Sequence, residues 1–200
     1  MNNNIFNYID NVYETISEHN YNYKRSAPFL INLKKDILNQ NFEKDAYYYQ
    51  LMATLEFFIC LCDVEEAPYK NLLSNNEKVN YYFQKSLILD KDNPPLMYLF
   101  ALYLYTIGDF INAKKIFSEI NTQYYIDIEM LDRILKIKEF ILCCEIFLNE
   151  AKESDIINFL KILKSSEDYI YPKDLILTIS HNLIYSTNTV ESEISSLNNF

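Results

Sequence analysis

Apolar residues recur at helical spacing along almost the whole chain. Ile5, Ile9, Val12, Tyr13 and Ile16 trace one face of a first helix, which the polar stretch 19–23 ends. Pro28 suits the first turn of a second helix, where a missing N–H costs no intrahelical bond. Phe29, Leu30, Leu33, Ile37 and Leu38 form its stripe, and 39–41 stop it. A third helix is predicted over about 45–62. The stretch 63–76 follows as the longest connection, with Glu65, Glu66 and Pro68 and a short turn at 69–73. A fourth helix covers about 77–89, and 90–95 is a break, since the residue before a proline avoids the α region. The fifth (96–107) ends at Gly108 and the sixth (109–121) follows at once. A long seventh runs over roughly 128–149, an eighth over 154–164 with Ile156, Ile157, Leu160 and Leu163 on one face, and Pro172 opens a ninth carrying Leu175, Ile176, Ile179 and Leu183. Residues 187–200 are rich in Ser and Asn and predict a frayed tail, which leaves 1–186 as a single all-helical domain.

Composition narrows the fold class further. There is one glycine in 200 residues and half the chain is apolar. Sheets need glycine at hairpin turns and bulges, and phosphate-cradling loops need several; helices joined by polar loops need few. The net charge of −10 disfavours nucleic acid, whose binding draws on Lys and Arg at the phosphates, and disfavours an anionic membrane surface. The N-terminus lacks the basic start and continuous apolar core of a signal peptide, and the densest apolar run, near Leu55–Cys62, is too short to span a bilayer. A cytoplasmic location follows as the expectation. Cys60, Cys62, Cys143 and Cys144 lack zinc-finger spacing and are expected as reduced, buried thiols.

The most informative stretch is 93–125. Met97, Phe100, Ala101, Leu104, Gly108, Asp109, Phe110, Ala113, Phe117 and Ile120 alternate large and small along two short helices joined at Gly-Asp. Alanines at 101 and 113 let helices approach closely. Gly108 takes a left-handed conformation at low cost, and Asp109 caps the next helix. This pattern resembles the tetratricopeptide family, whose signature of about 34 residues has large and small apolar residues on a first helix, then Ala and Phe on a second, then Pro. Met97 stands in the Trp place, Phe100 in the Leu place, Leu104 in the Tyr place, and Tyr125 where Pro is usual. Phe83 precedes Phe117 by one such period, and Phe83, Ser86, Leu87, Leu89, Asp90, Asn93 and Pro94 resemble a repeat boundary, with Lys91 replacing the expected Pro. The resemblance is good over about fifty residues.

The resemblance implies antiparallel helix pairs stacked as a short superhelix, an α-solenoid. It implies a concave groove lined by Tyr98, Leu102 and Tyr105 from one first helix and by Asp132, Lys136 and Glu139 from the next. Such a groove is aromatic on one side and mostly acidic on the other. It differs from the Lys- and Asn-rich grooves that hold a peptide carboxylate, and fits a basic segment or an extended apolar one. Three consecutive tyrosines, Tyr47, Tyr48 and Tyr49, span about 300° of a helical wheel, so at least one is exposed or at an interface.

No catalytic or metal constellation stands out. His19 and His181 lie in no recognised motif, and Glu145, Glu150 and Glu153 have no histidine at ligand spacing. The expectation is a binding protein without enzymatic activity, metal or cofactor. Its partner is another protein, and three roles fit: an immunity protein neutralising a basic toxin, a tetratricopeptide-type chaperone of a secreted protein, or a scaffold subunit. The oligomeric state stays open.

Overall fold

A computed structural model describes residues 3–18, 23–62, 77–166 and 171–197. Every regular element among the described residues is a helix. The chain divides into two compact units, Met1–Gly108 and Asp109–Phe200, where the sequence suggested one domain followed by a tail. The division falls between Gly108 and Asp109, inside the stretch with the tetratricopeptide-like pattern. The connection at 63–76 and His19 lie outside the described residues.

The first unit holds α1 (Asn3–Glu18), α2 (Tyr23–Asn39), α3 (Ala46–Cys62), α4 (Glu77–Leu89) and α5 (Pro94–Thr106). α3 is the hub on which the other four pack. Its residues 51–58 are buried without interruption, as expected of a helix apolar on all sides. Asp45 starts it, its Oδ1 accepting the Tyr48 N–H at 2.9 Å. Ile5, Val12 and Ile16 from α1 and Leu30 and Ile37 from α2 meet Leu51, Met52, Leu55 and Phe58 in one core. An aromatic cluster forms beside it: Phe83 stacks on Phe100 and Tyr103, with ring centroids 5.1 and 5.9 Å away, and Phe57 meets Tyr103 edge-on. Of the tyrosine run, Tyr48 is buried, Tyr49 half-buried and Tyr47 exposed.

Pro28 sits inside α2 rather than in its first turn. The helix begins earlier because Ser26 is fully buried, its Oγ donating to the Thr15 carbonyl of α1 at 3.5 Å, so the turn before the proline has a tertiary partner. Asn93 caps α5 by accepting the Leu96 N–H at 3.0 Å and donates to Asp90 at 2.9 Å.

The second unit holds α6 (Phe110–Glu119), α7 (Gln123–Asp127), α8 (Leu131–Phe147), α9 (Glu153–Ser165), α10 (Lys173–His181), a 3-10 turn (Leu183–Tyr185) and α11 (Asn188–Leu197). α8 is the hub, contacted by α6, α7, α9 and α10. Phe117 lies parallel to Phe140 with centroids 5.4 Å apart. Asp109 caps α6 by accepting the Asn112 N–H at 3.3 Å.

Two boundaries depart from the sequence pattern. The seventh predicted helix starts at Leu131 rather than at 128, and the short α7 precedes it. The break is a helix stop: Glu129 takes φ 56°, its N–H reaches the Ile126 carbonyl at 3.1 Å, and the Met130 N–H reaches the Tyr125 carbonyl at 2.8 Å. Residues 187–200 were expected to fray, yet α11 is a regular helix. It packs on α9, Val190 and Leu197 are buried, and Lys164 pairs with Glu193. A few apolar residues at helical spacing hold it despite its polar composition.

Among the described residues three helices close on a left-handed residue. Gly108 (φ 82°) follows α5, Glu129 follows α7 and Asn149 (φ 57°) follows α8. With a single glycine in the chain, two of the three stops fall to residues with a side chain. No helix among the described residues is long and apolar enough to cross a membrane.

Candidate interaction surfaces

The six residues expected to line a groove divide into three environments. Tyr98 and Tyr105 are buried, at 7% and 3% exposure, and Leu102 is half-buried. Asp132 is exposed in the first turn of α8. Lys136 and Glu139 lie inside an intramolecular charge cluster.

In that cluster Lys136 Nζ donates to Glu139 Oε2 at 2.8 Å and to Asp174 Oδ2 at 2.7 Å, and lies 5.3 Å from the centre of the Phe140 ring. Glu139 is fully buried. Desolvation pushes its pKa up, against the pull of Lys136. Desolvation also works against the Lys136 charge, yet the two carboxylates prevail and its pKa is raised. The lysine and glutamate are helical neighbours three apart, so the pair was legible in sequence. Asp174, brought in by α10, was not.

Two of the cysteines are inert by environment. Cys143 and Cys144 are fully buried. Desolvation drives the Cys143 thiol well above its ordinary range and pushes Cys144 up to about 12. Cys60 is half-buried. His181 is exposed at the end of α10. Among the described residues no group of three or more His, Cys, Asp or Glu is placed to hold a metal ion.

Two grooves on the first unit are lined by described residues. The first, about 300 Å³, lies between α1 and α2 and is lined by Asn11, Glu14, Glu18, Phe29, Leu33 and Asp36. Among the described residues no lysine or arginine lines it. Glu14, Glu18 and Asp36 are exposed, and among the described residues none pairs with a base. Phe29 is 56% exposed beside them. Sequence reasoning placed Phe29 on the core stripe. The signal for the groove was the spacing of Glu14 and Glu18, four apart on the side of α1 away from Ile5, Val12 and Ile16.

The second groove, about 470 Å³, lies among α2, α3 and α4. Leu38, Tyr81 and Tyr82 supply its apolar and aromatic surface over the buried Met52, and an ion pair between Lys34 and the nearly buried Glu56 at 2.6 Å lies in it. Tyr49, Tyr81 and Tyr82 pack around one another with centroids 5.4 to 6.3 Å apart. Desolvation raises the Tyr82 phenol pKa. Lys78 and Glu77 add one charge of each sign, so this groove is electrically balanced.

Compared with known proteins, the chain matches no family model, no curated protein and no solved structure.

Proposed function

We propose that this chain is a protein-binding helical module of tetratricopeptide-like architecture. It acts in the cytoplasm without catalysis, sequestering and neutralising a basic protein partner as an immunity protein does for a toxin. The observation that carries the reading is the α1–α2 groove, where Glu14, Glu18 and Asp36 share the lining with exposed Phe29 and no lysine or arginine among the described residues joins them. A cationic side chain entering such a groove gains three carboxylates and an aromatic face. The chain's net charge of −10 adds long-range steering toward the same kind of partner.

Co-expression with the product of the neighbouring gene tests this. The expected result is a stoichiometric complex that suppresses a toxic activity and is weakened by Glu14→Lys with Asp36→Lys. Suppression that both reversals leave untouched sinks the role of the groove.

The α2–α4 groove favours a second reading, a chaperone holding an extended apolar segment of a secreted protein. Its aromatic wall and balanced charge suit a ligand that is apolar rather than cationic. Binding retained at high salt separates this reading from the first.

A further inference from the structure

We infer that the elbow between α7 and α8, residues 124–132, is a second docking surface, whose occupant is a partner segment with basic residues set among apolar ones. The inference rests on the partner-binding reading but on a different unit of the chain. Five of eight consecutive residues here are large, apolar and exposed: Tyr124, Ile126, Ile128, Met130 and Leu131, at 36 to 46% exposure. Single exposed hydrophobics are ordinary on a protein surface, whereas a contiguous run of them marks an interaction site.

The elbow is held in place from beneath. Tyr125 is buried and meets Tyr124 edge-on, α7 packs on α8, and the left-handed Glu129 stops one helix so that the next can begin. A non-glycine residue at φ 56° costs conformational energy that a glycine would avoid. The strain sits at the centre of the exposed apolar run and is sustained by the packing of Tyr125 and of α7 on α8.

Charge decides the occupant. The run carries exposed Asp127, Glu129 and Asp132 and no lysine or arginine. Glu129 and Asp132 pair with nothing among the described residues, and Asp127 accepts only from Gln123. The next cation is the half-buried Arg133 directly after the run, and the one beyond it, Lys136, is engaged by Glu139 and Asp174, so the acids stay in excess. A second copy of this chain would bring three more carboxylates and a single arginine against the same set, a net like-charge repulsion that disfavours self-association through this face. A segment alternating apolar and cationic side chains matches both features.

The test uses the full chain and three synthetic fourteen-residue peptides of alternating composition: Leu with Lys, Ser with Lys, and Leu with Glu. Amide chemical shifts report where each one lands. The expected result is that Leu-Lys perturbs residues 124–132 and that the other two bind about tenfold more weakly or not at all. Ile128→Ser with Met130→Ser should weaken Leu-Lys binding about tenfold, as should Glu129→Gln with Asp132→Asn. All four substituted side chains are exposed, and an unchanged urea midpoint confirms that each variant stays folded. Perturbations confined to the α1–α2 groove would overturn this inference and leave the proposed function standing. Silence across the whole chain would count against both. A dimer formed through 124–132 would overturn the inference as well.

Discussion

The Oε1 atom of Glu139, in the middle of α8, accepts the backbone N–H of Leu175 at 3.0 Å and so closes the first turn of α10 from another helix. That turn has Pro172 at its cap position and no side-chain cap of its own. The carboxylate of α8 therefore does for α10 what Asn93 does locally for α5. Glu139→Ala is expected to cost about 3 kcal/mol, because it leaves a buried N–H without an acceptor and Lys136 with one carboxylate. Glu139→Gln keeps an acceptor oxygen and should cost roughly half as much. Urea unfolding midpoints measure both, and equal losses would show that the N–H contact contributes nothing.

The same cluster predicts an alkaline weakness. The pKa of Lys136 is raised in the folded state by Glu139 and Asp174, against desolvation. Its contribution to stability is therefore fully present below 10.5 and is lost as pH rises through the higher folded value. The unfolding midpoint of the native chain should fall above about pH 10, more steeply than that of Lys136→Met. Parallel curves for the two would exclude Lys136 as the source.

Glu129 is a candidate for stabilisation. Glycine at this φ removes the Cβ clash but gives the unfolded chain more freedom, so Glu129→Gly should gain a net amount of roughly 0.5–1 kcal/mol. Asn149→Gly should change little, since asparagine tolerates the left-handed region. Thermal melts of the two variants check this, and a destabilised Glu129→Gly would mean that its side chain contributes a contact that outweighs the strain.

The stacked phenylalanines of the second unit should differ in worth. Phe117 is 1% exposed against Phe140, whereas Phe110 is half-buried on Phe147 at a centroid distance of 4.2 Å. Phe117→Ala should cost about 3–5 kcal/mol by leaving a cavity. Phe110→Ala should cost about half as much, because solvent fills part of the vacated space. Chemical denaturation ranks them, and the reverse order would contradict the burial.

Thiol labelling should follow the same environments. With a pKa of about 12, Cys144 has a thiolate fraction on the order of one in ten thousand near pH 8. In native protein Cys60 should react with a disulfide reagent while Cys143 and Cys144 wait for unfolding. Mass mapping of the labelled peptides after a short exposure decides the order, and early label at Cys143 would imply local opening of α8.

Local signals carried much of the fold. Asp45, Asn93 and Asp109 start their helices, and Gly108 takes a left-handed φ at the end of α5, each within a few residues of the position it controls. The residues that departed from expectation are those whose environment is set by another element. Pro28 lies inside a helix because α1 buries Ser26 two residues earlier. The Ser- and Asn-rich end is helical because α9 receives Val190 and Leu197. Glu139 was assigned to an open groove on its helical face, and α10 covers that face.

The sequence by itself determined that the chain is helical, where most helices begin and end, and that the protein carries an excess of acid. These follow from backbone sterics, capping and apolar periodicity, all of which act over a few residues. Only the tertiary structure decided which members of each stripe meet a neighbour. Leu30 is fully buried and Phe29 beside it is open; Tyr98 and Tyr105 are inside and Tyr124 is outside. Periodicity gives every helix an apolar face but not the identity of the surface that covers it.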